Sequence, residues 1–272
     1  MRPGTPDWIE ERLAGADRRW LFLDYDGTLA EFAPTPEHVN PDPELVDLLS
    51  RLEEQPHTRV AVVSGRRLSH VQELVPVPGI LLAGTYGIEL QTPEGERIDR
   101  LDYEDIRPTL EALKPRWADL LTGRDGFFLE DKGWALALHA RFAQDEETGP
   151  VLAAARRMAA QAAEDAPPHL FRLLGGHRFL EIGPRLAHKG RTVEYLLDRY
   201  PWPGALPLYL GDDDKDEEAF DVIEARGGIA ILVAPAERET KAAFRLKSPR
   251  EARRWLQTVL LRPNGSGNLG TA

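Results

Sequence analysis

The chain has 272 residues, of which 42% are hydrophobic and 29% charged; this balance fits an ordinary globular protein and excludes collagen-like and wholly disordered chains. Lys and Arg number 34 against 45 Asp and Glu, so the net charge is −11, and a chain this acidic repels nucleic acid and anionic lipid on average. There is no Cys, which excludes disulfides, zinc–thiolate sites and cysteine nucleophiles.

The first seventeen residues are charged and contain no signal-peptide core, and no apolar run is long enough to cross a bilayer. The cytoplasm is therefore the expected compartment, with no membrane partner. Residues 20–23 form a strand-length apolar run that ends in an acidic loop. Over 43–53 the apolar residues Leu45, Val46, Leu48, Leu49 and Leu52 recur with a helical period, Pro43 suits the first turn, and Gln55-Pro56 ends the pattern. Residues 60–63 predict a second buried strand, followed by Ser64-Gly65 and a helix through Leu74; residues 80–83 predict a third. This alternation predicts a parallel sheet covered by helices on both faces.

The middle third has a different pattern. Residues 127–130 and 134–139 predict strands joined at Asp131-Lys132-Gly133, and 170–174 and 178–182 predict a pair turning at Gly175-Gly176. Helices are predicted over 105–121 and 146–163. Hairpins plus helices imply a small antiparallel α+β unit. From Lys189 the first pattern resumes: a helix to Arg199, a strand over 206–210, an acidic loop, a helix and a strand over 229–233. The expected organisation is a core over 1–100 and 185–262, interrupted by an inserted unit over 101–184, with a Gly/Ser/Asn-rich flexible tail over 263–272.

Four stretches at strand exits carry chemistry. Asp24-Tyr25-Asp26-Gly27-Thr28-Leu29 follows the first strand; residues two apart project together, so Asp24 and Asp26 can share one task. A carboxylate can act as a nucleophile while its neighbour exchanges a proton, and a turn with a helix cap would account for the same residues more blandly. Gly211-Asp212-Asp213-Asp214-Lys215-Asp216-Glu217-Glu218 follows another apolar run. A helix start favours acids at its later positions, but three consecutive Asp at a buried strand's exit suit a hard cation such as Mg²⁺, and EF-hand spacing is missing. Ser64-Gly65-Arg66 offers a hydroxyl and loop amides to phosphoryl oxygens, or simply ends a strand. Lys189 opens a helix, where its charge opposes the dipole and is wanted elsewhere or is solvated.

Taken together and in this order, the four stretches resemble the motifs of the haloacid dehalogenase superfamily. The closer resemblance is to trehalose-6-phosphate phosphatases, through Asp-Tyr-Asp-Gly-Thr-Leu, Gly84-x-x-Gly87-x-Glu89, Glu130-Asp131-Lys132-Gly133 with His139 and Arg141, Glu181-Ile182, and Gly-Asp-Asp-x-x-Asp-Glu-x-x-Phe220. It covers roughly Trp20 to Leu261. The resemblance implies a Rossmann-like core with an inserted α+β cap and hydrolysis of trehalose 6-phosphate. By the same resemblance Asp24 is the nucleophile and Asp26 the general acid and base. Mg²⁺ is held by Asp24, the main-chain carbonyl of Asp26 and Asp212, with Asp213 and Asp216 steadying that site. Ser64 and Lys189 bind phosphoryl oxygens, joined by Gly65 and Arg66, and Glu89, Glu130, Lys132, Arg141 and Glu181 read the substrate. A phosphatase for another disaccharide or glycoside phosphate, a sugar phosphomutase, and a silent partner of a trehalose-phosphate synthase are the alternatives. The expected partners are a sugar phosphate and, in the pathway, such a synthase; a monomer is expected. Two positions depart from the family pattern, both on the sugar-reading side: Tyr86 stands where Gly-x-His-Gly-x-Glu has His, and Gly183 where Glu-Ile-Arg-Pro has Arg, with Arg185 two residues on.

Overall fold

The computed structural model describes residues 5–31, 40–176 and 178–261; the tail over 263–272 lies outside the described residues. The first part runs through α1 (Asp7–Ala14), β1 (Arg18–Leu23), α2 (Pro43–Glu53), β2 (Thr58–Val63), α3 (Leu68–Leu74), β3 (Leu81–Gly84), β4 (Glu89–Gln91) and β5 (Arg97–Asp99). The middle part contains α4 (Tyr103–Leu121), β6 (Phe128–Asp131), β7 (Leu136–His139), α5 (Asp145–Asp165), β8 (Phe171–Gly176) and β9 (Phe179–Pro184). The last part contains α6 (Lys189–Arg199), β10 (Ala205–Gly211), α7 (Asp214–Ala225), β11 (Ile229–Val233), β12 (Phe244–Leu246) and α8 (Pro249–Trp255).

The larger sheet has the order β12-β11-β10-β1-β2-β3-β4-β5, parallel from β12 to β3 and antiparallel at β4 and β5. Its strands are apolar on both faces because both faces are covered. Leu21 and Leu23 pack on one side with Leu45, Leu49 and Trp255, whereas Trp20 and Phe22 pack on the other with Val193, Leu196 and Phe220. This is the parallel sheet covered on both faces that the alternation predicts, and it fits the Rossmann-like core that the resemblance implies. From β1 the chain moves outward through β2 and β3, and it later returns on the other side through β10, β11 and β12. Loops leaving β1 and β10 therefore diverge, and a crevice opens beyond Leu23 and its partner Leu210.

The smaller sheet, β6-β7-β9-β8, is antiparallel throughout. Helices α4 and α5 cover it, with Ile106, Leu110, Leu113 and Trp117 buried against Leu136, Leu138, Leu180 and Ile182. Its second reversal comes later than Gly175-Gly176, because both glycines remain paired across the ladder, with Leu180 and Phe179. A glycine pair permits a turn but does not force one. Helix α4 starts two residues before the predicted position, where the Asp102 side chain accepts from Glu104 N–H, and it continues through Pro108 and Pro115. Its apolar stripe outweighs two missing backbone donors.

The first hairpin turn is braced by Asp131. Its carboxylate accepts from both terminal nitrogens of Arg107 and from Lys114 Nζ, each at 2.7 Å, and from Gly133 N–H at 2.9 Å. These bonds, led by the one from Arg107, hold Asp131 far below the usual carboxylate range. A carboxyl whose folded pKa is depressed stabilises the fold above its unfolded value and loses that contribution as pH falls. Asp131→Asn should therefore unfold at lower urea than the parent at pH 7, and the two urea midpoints should converge as pH is taken from 6 towards 3. A constant gap across that range would show that the brace is not ionic.

Candidate active site

Three separate stretches meet in the crevice. Asp24 leaves β1 and is 4% exposed; Lys189, 3% exposed, opens α6; Asp216, fully buried, lies in the first turn of α7. Lys189 Nζ donates to Asp24 Oδ1 at 2.8 Å and to Asp216 Oδ1 at 2.6 Å. Asp216 Oδ1 also accepts from Tyr209 O–H at 2.7 Å, and its Oδ2 accepts the backbone N–H groups of Asp212 at 3.0 Å and Asp213 at 3.1 Å. Every ordinary acceptor position of Asp216 is used, so its work is to fix Lys189 and the acidic loop. Asp213 caps α7, accepting from Lys215 N–H and Asp216 N–H, and takes an ion pair from Lys215 Nζ at 2.7 Å. Burial pushes Asp213 up, but the charges of Lys189 and Lys215 outweigh it, and its carboxyl lies well below its usual range.

Asp212 stands beside Asp24, and the Thr28 hydroxyl bridges them, 3.0 Å from Asp24 Oδ2 and 3.3 Å from Asp212 Oδ1. Two glycines make room for these acids. At Gly27, whose φ is +80°, a Cβ would run into the Asp212 carboxylate; at Gly211 a Cβ would run into that of Asp216. Burial first, then the neighbouring carboxylates, raise Asp24 well above its ordinary range and push Asp212 up to about 7. Oxygens of Asp24, Asp212 and Asp216 lie within 4.8 Å of one another. Three carboxylates face one ammonium, and with Asp216 saturated, Asp24 and Asp212 are the pair that would hold a cation. An all-oxygen donor set of this kind fits a hard divalent ion.

Asp26 points elsewhere. Its carboxylate is gripped by Arg66 in a fork, Nε to Oδ2 and Nη2 to Oδ1, both at 2.6 Å. Its immediate partner is thus a guanidinium rather than another acid. Ser64 is fully buried and its Oγ accepts from Arg66 N–H at 3.1 Å; it lies beneath Gly65 and Arg66, which line the cleft.

The cleft between the two sheets has a volume of about 700 Å³. Its far wall carries paired polar groups. Lys132 Nζ donates to Glu181 Oε2 at 2.7 Å, both residues being buried, and Glu130 Oε2 lies 2.9 Å from His139 Nε2. Burial would raise Glu130, but the His139 hydrogen bond and the Lys132 charge prevail and lower it. The His139 ring stacks on Phe128 at 4.3 Å. Arg141 also lines the cleft. Glu89 does not: its Oε2 accepts from Leu68 N–H at 3.2 Å and Thr85 O–H at 3.0 Å, and its Oε1 pairs with Arg97 at 3.0 Å. It ties the start of α3 to β4 and lines a neighbouring cavity together with Lys132. Arg185 does not stand in for a side chain at Gly183 either, since it meets His169. The residue opposite Gly183 on β8 is Arg172, which spans to Glu218 of α7 at 3.0 Å.

Sequence patterns alone did not single out Lys215 or Arg238 as cleft residues. Lys215 lies two residues past Asp213 with its Nζ 5.5 Å from the Phe179 ring centroid, in contact with the smaller sheet's side. Arg238 reaches the acidic loop from the far end of β11, donating to Glu217 at 3.2 Å and pairing with Asp214. Lys215 had a legible signal, a cation inside an acidic run; Arg238 had none.

A family model for trehalose-phosphatases matches residues 22–250. A trehalose-phosphate phosphatase of Mycobacterium avium is 36% identical over 263 residues, covering 91% of this chain and 64% of the relative. That of Mycobacterium marinum is 35% identical over 253 residues, covering 90% of this chain and 61% of the relative. The chain thus spans about three fifths of these relatives' length. Among solved structures, the C-terminal domain of Candida albicans trehalose-6-phosphate phosphatase superposes with a TM-score of 0.81 at 20% identity, covering 96% of this chain and 99% of that one, a likeness of fold.

Removing Asp216 takes one of two carboxylates from a buried ammonium and leaves a buried phenol and two backbone donors without their acceptor. Asp216→Ala is expected to lower the unfolding free energy by about 3–5 kcal/mol, the usual consequence of breaking a buried ion pair from one side. Urea denaturation measures it, and a loss below about 1 kcal/mol would mean that the cluster is solvated.

Proposed function

The chain belongs to the trehalose-phosphatase family, and on that premise we propose that it hydrolyses trehalose 6-phosphate to trehalose and inorganic phosphate. The observation that carries this reading is the buried Asp24–Lys189–Asp216 array beside Asp212, opening into a cleft with fixed polar pairs on its other wall. Core residues 1–100 and 185–262 would hold the phosphoryl group, and residues 101–184 would act as the cap that reads the sugar.

Asp24 attacks phosphorus: a bond forms from its carboxylate oxygen while the ester bond to the sugar oxygen breaks, giving an aspartyl phosphate. Asp26 gives a proton to the departing sugar oxygen. It then takes one from the water that attacks phosphorus, and the Asp24–phosphorus bond breaks to release phosphate. The Arg66 fork now holds Asp26, and a phosphoryl dianion offers that guanidinium a stronger partner. Transfer of Arg66 to the incoming group frees Asp26 for proton transfer. Lys189 offsets the like charge of nucleophile and substrate in a site where water does not screen it. Mg²⁺, held by Asp24, Asp212 and the Asp26 main-chain carbonyl, would add positive charge against the phosphoryl oxygens. Glu130, Lys132, Glu181 and Arg141 offer the cap's contacts to sugar hydroxyls, and a cleft of about 700 Å³ falls within the range of small-molecule sites. No helix among the described residues is long and apolar enough to cross a membrane. On the family reading, the chain acts as a cytoplasmic monomer that receives its substrate from a trehalose-phosphate synthase.

Tyr86 and Gly183 favour keeping a second sugar ester in view, so the test is a phosphate-release panel with trehalose 6-phosphate, sucrose 6-phosphate, a glucosyl-glycerol phosphate and glucose 6-phosphate. Trehalose 6-phosphate should lead in kcat/KM; leadership by another ester moves the substrate, and release from none removes the activity. A chelator should abolish release and added Mg²⁺ restore it, and Asp24→Asn should give no turnover while still unfolding in one cooperative transition. Turnover by Asp24→Asn at the parent's rate would remove Asp24 as nucleophile.

A further inference from the structure

Tyr86 occupies the short turn Thr85–Gly87 that follows β3. Thr85 and Tyr86 have φ values of +48° and +54°, a region that side-chain-bearing residues seldom adopt. Such strain persists only where the surroundings over-determine the backbone, and it gathers at functional sites. The surroundings here are specific. Thr85 N–H donates to Arg66 C=O at 2.6 Å and Tyr86 N–H to Ser64 C=O at 2.8 Å. The Thr192 hydroxyl donates to Tyr86 C=O at 2.7 Å, and Arg100 donates to Gly87 C=O at 3.0 Å and to the Thr192 hydroxyl at 2.9 Å. Five hydrogen bonds thus lock the turn between the ends of β2 and β3 and helix α6.

The lock presents one side chain. Tyr86 is 5% exposed and lines the cleft. Its ring lies so close over Gly65 that a Cβ there would sit 2.7 Å from Cζ and 2.8 Å from the hydroxyl oxygen. Lys132 Nζ stands 5.9 Å from the ring centroid. Fields of Glu181 and Lys132 reach the phenol from the smaller sheet, and those of Lys215 and Asp213 from the larger one. Tyr86 therefore sits where the phosphoryl end of the cleft meets the end lined by Lys132, which is held by Glu181 behind it. Burial, above all, raises the phenol to about 12, so it stays an O–H donor at neutral pH. Among the described residues that hydroxyl has no hydrogen-bond partner.

We propose that the Tyr86 hydroxyl donates a hydrogen bond to an oxygen of the phosphorylated sugar ring beside the ester, which makes Tyr86 a specificity-determining residue. This rests on the sugar-phosphate phosphatase reading above. A donor fixed by a strained, fully bonded backbone and left unpaired at the cleft wall is an arrangement that discriminates, because a ligand lacking the matching oxygen leaves it unsatisfied.

Tyr86→Phe removes one oxygen that bonds to nothing in the protein, so the packing of the ring over Gly65 is kept. The experiment compares kcat/KM on the best sugar ester of the panel with kcat/KM on p-nitrophenyl phosphate, which carries no sugar oxygens, alongside the melting midpoint. The ratio of the two should fall about five- to tenfold in Tyr86→Phe, the size of one hydrogen bond between neutral groups, with the midpoint unchanged. An unchanged ratio overturns the inference, as does an equal fall on both substrates, which would assign Tyr86 to packing alone. If the parent prefers a sugar ester other than trehalose 6-phosphate, the proposed substrate fails while the ratio on that ester still decides for or against Tyr86. A parent with no preference for any sugar ester over p-nitrophenyl phosphate defeats both.

Discussion

Everything at the crevice depends on one buried ammonium. Lys189 Nζ is bound by Asp24 and Asp216, and none of the three is more than 4% exposed. Taking three charges out of water is unfavourable unless each finds a close opposite charge and its remaining hydrogen bonds are filled. The fold meets that demand by geometry. Asp216 reaches Lys189 and Tyr209 with one oxygen and gathers the N–H groups of the acidic loop with the other. The loop that carries Asp212 is thereby fixed relative to the strand that carries Asp24. Lys189 is raised well above its usual value, since the two carboxylates more than offset burial.

That arrangement in turn requires the strand order. Asp24 and Asp212 are almost two hundred residues apart in the chain but follow neighbouring parallel strands in matched register, so their side chains emerge on one rim. The outward winding of the chain in both directions from β1 leaves that rim free of crossing connections. Gly27 and Gly211 complete the fit by leaving empty the volume that the two carboxylates occupy.

Much of this could be read from the residues. Alternation of apolar runs with helical periods fixes a parallel sheet, because strands buried on both faces lose the polar positions that mark a half-exposed one. The four strand-exit motifs mark the rim for the same reason: charged residues directly after a buried run must point at something. Other features were less visible. Strands β4 and β5 have three residues each, too few for a period to register. Glu89 matched a pattern, but its bonds to Thr85 and the start of α3 depend on how β3, α3 and β4 pack, which no spacing rule shows. Arg66 was legible as a cation near a phosphate site, but its grip on Asp26 depends on the relative placement of two loops forty residues apart in the chain.

The cleft's polar groups are nearly all committed in opposite-charge pairs: Asp26 with Arg66, Lys132 with Glu181, Lys215 with Asp213, and Glu130 hydrogen-bonded to His139. Under the proposed function, this pairing lets a chain of net charge −11 present a site for an anion. Long-range repulsion from surface charge is screened within about 10 Å at ordinary ionic strength, so the field at the rim is set by groups in contact. A paired site also imposes selectivity. Because each cation already has a partner, a ligand gains most by offering oxygens in positions that replace or extend an existing hydrogen bond. A small inorganic anion can satisfy the Lys189 and Arg66 end alone. On the proposed reading, an ester long enough to reach from that end to Lys132 would draw on both walls of the cleft.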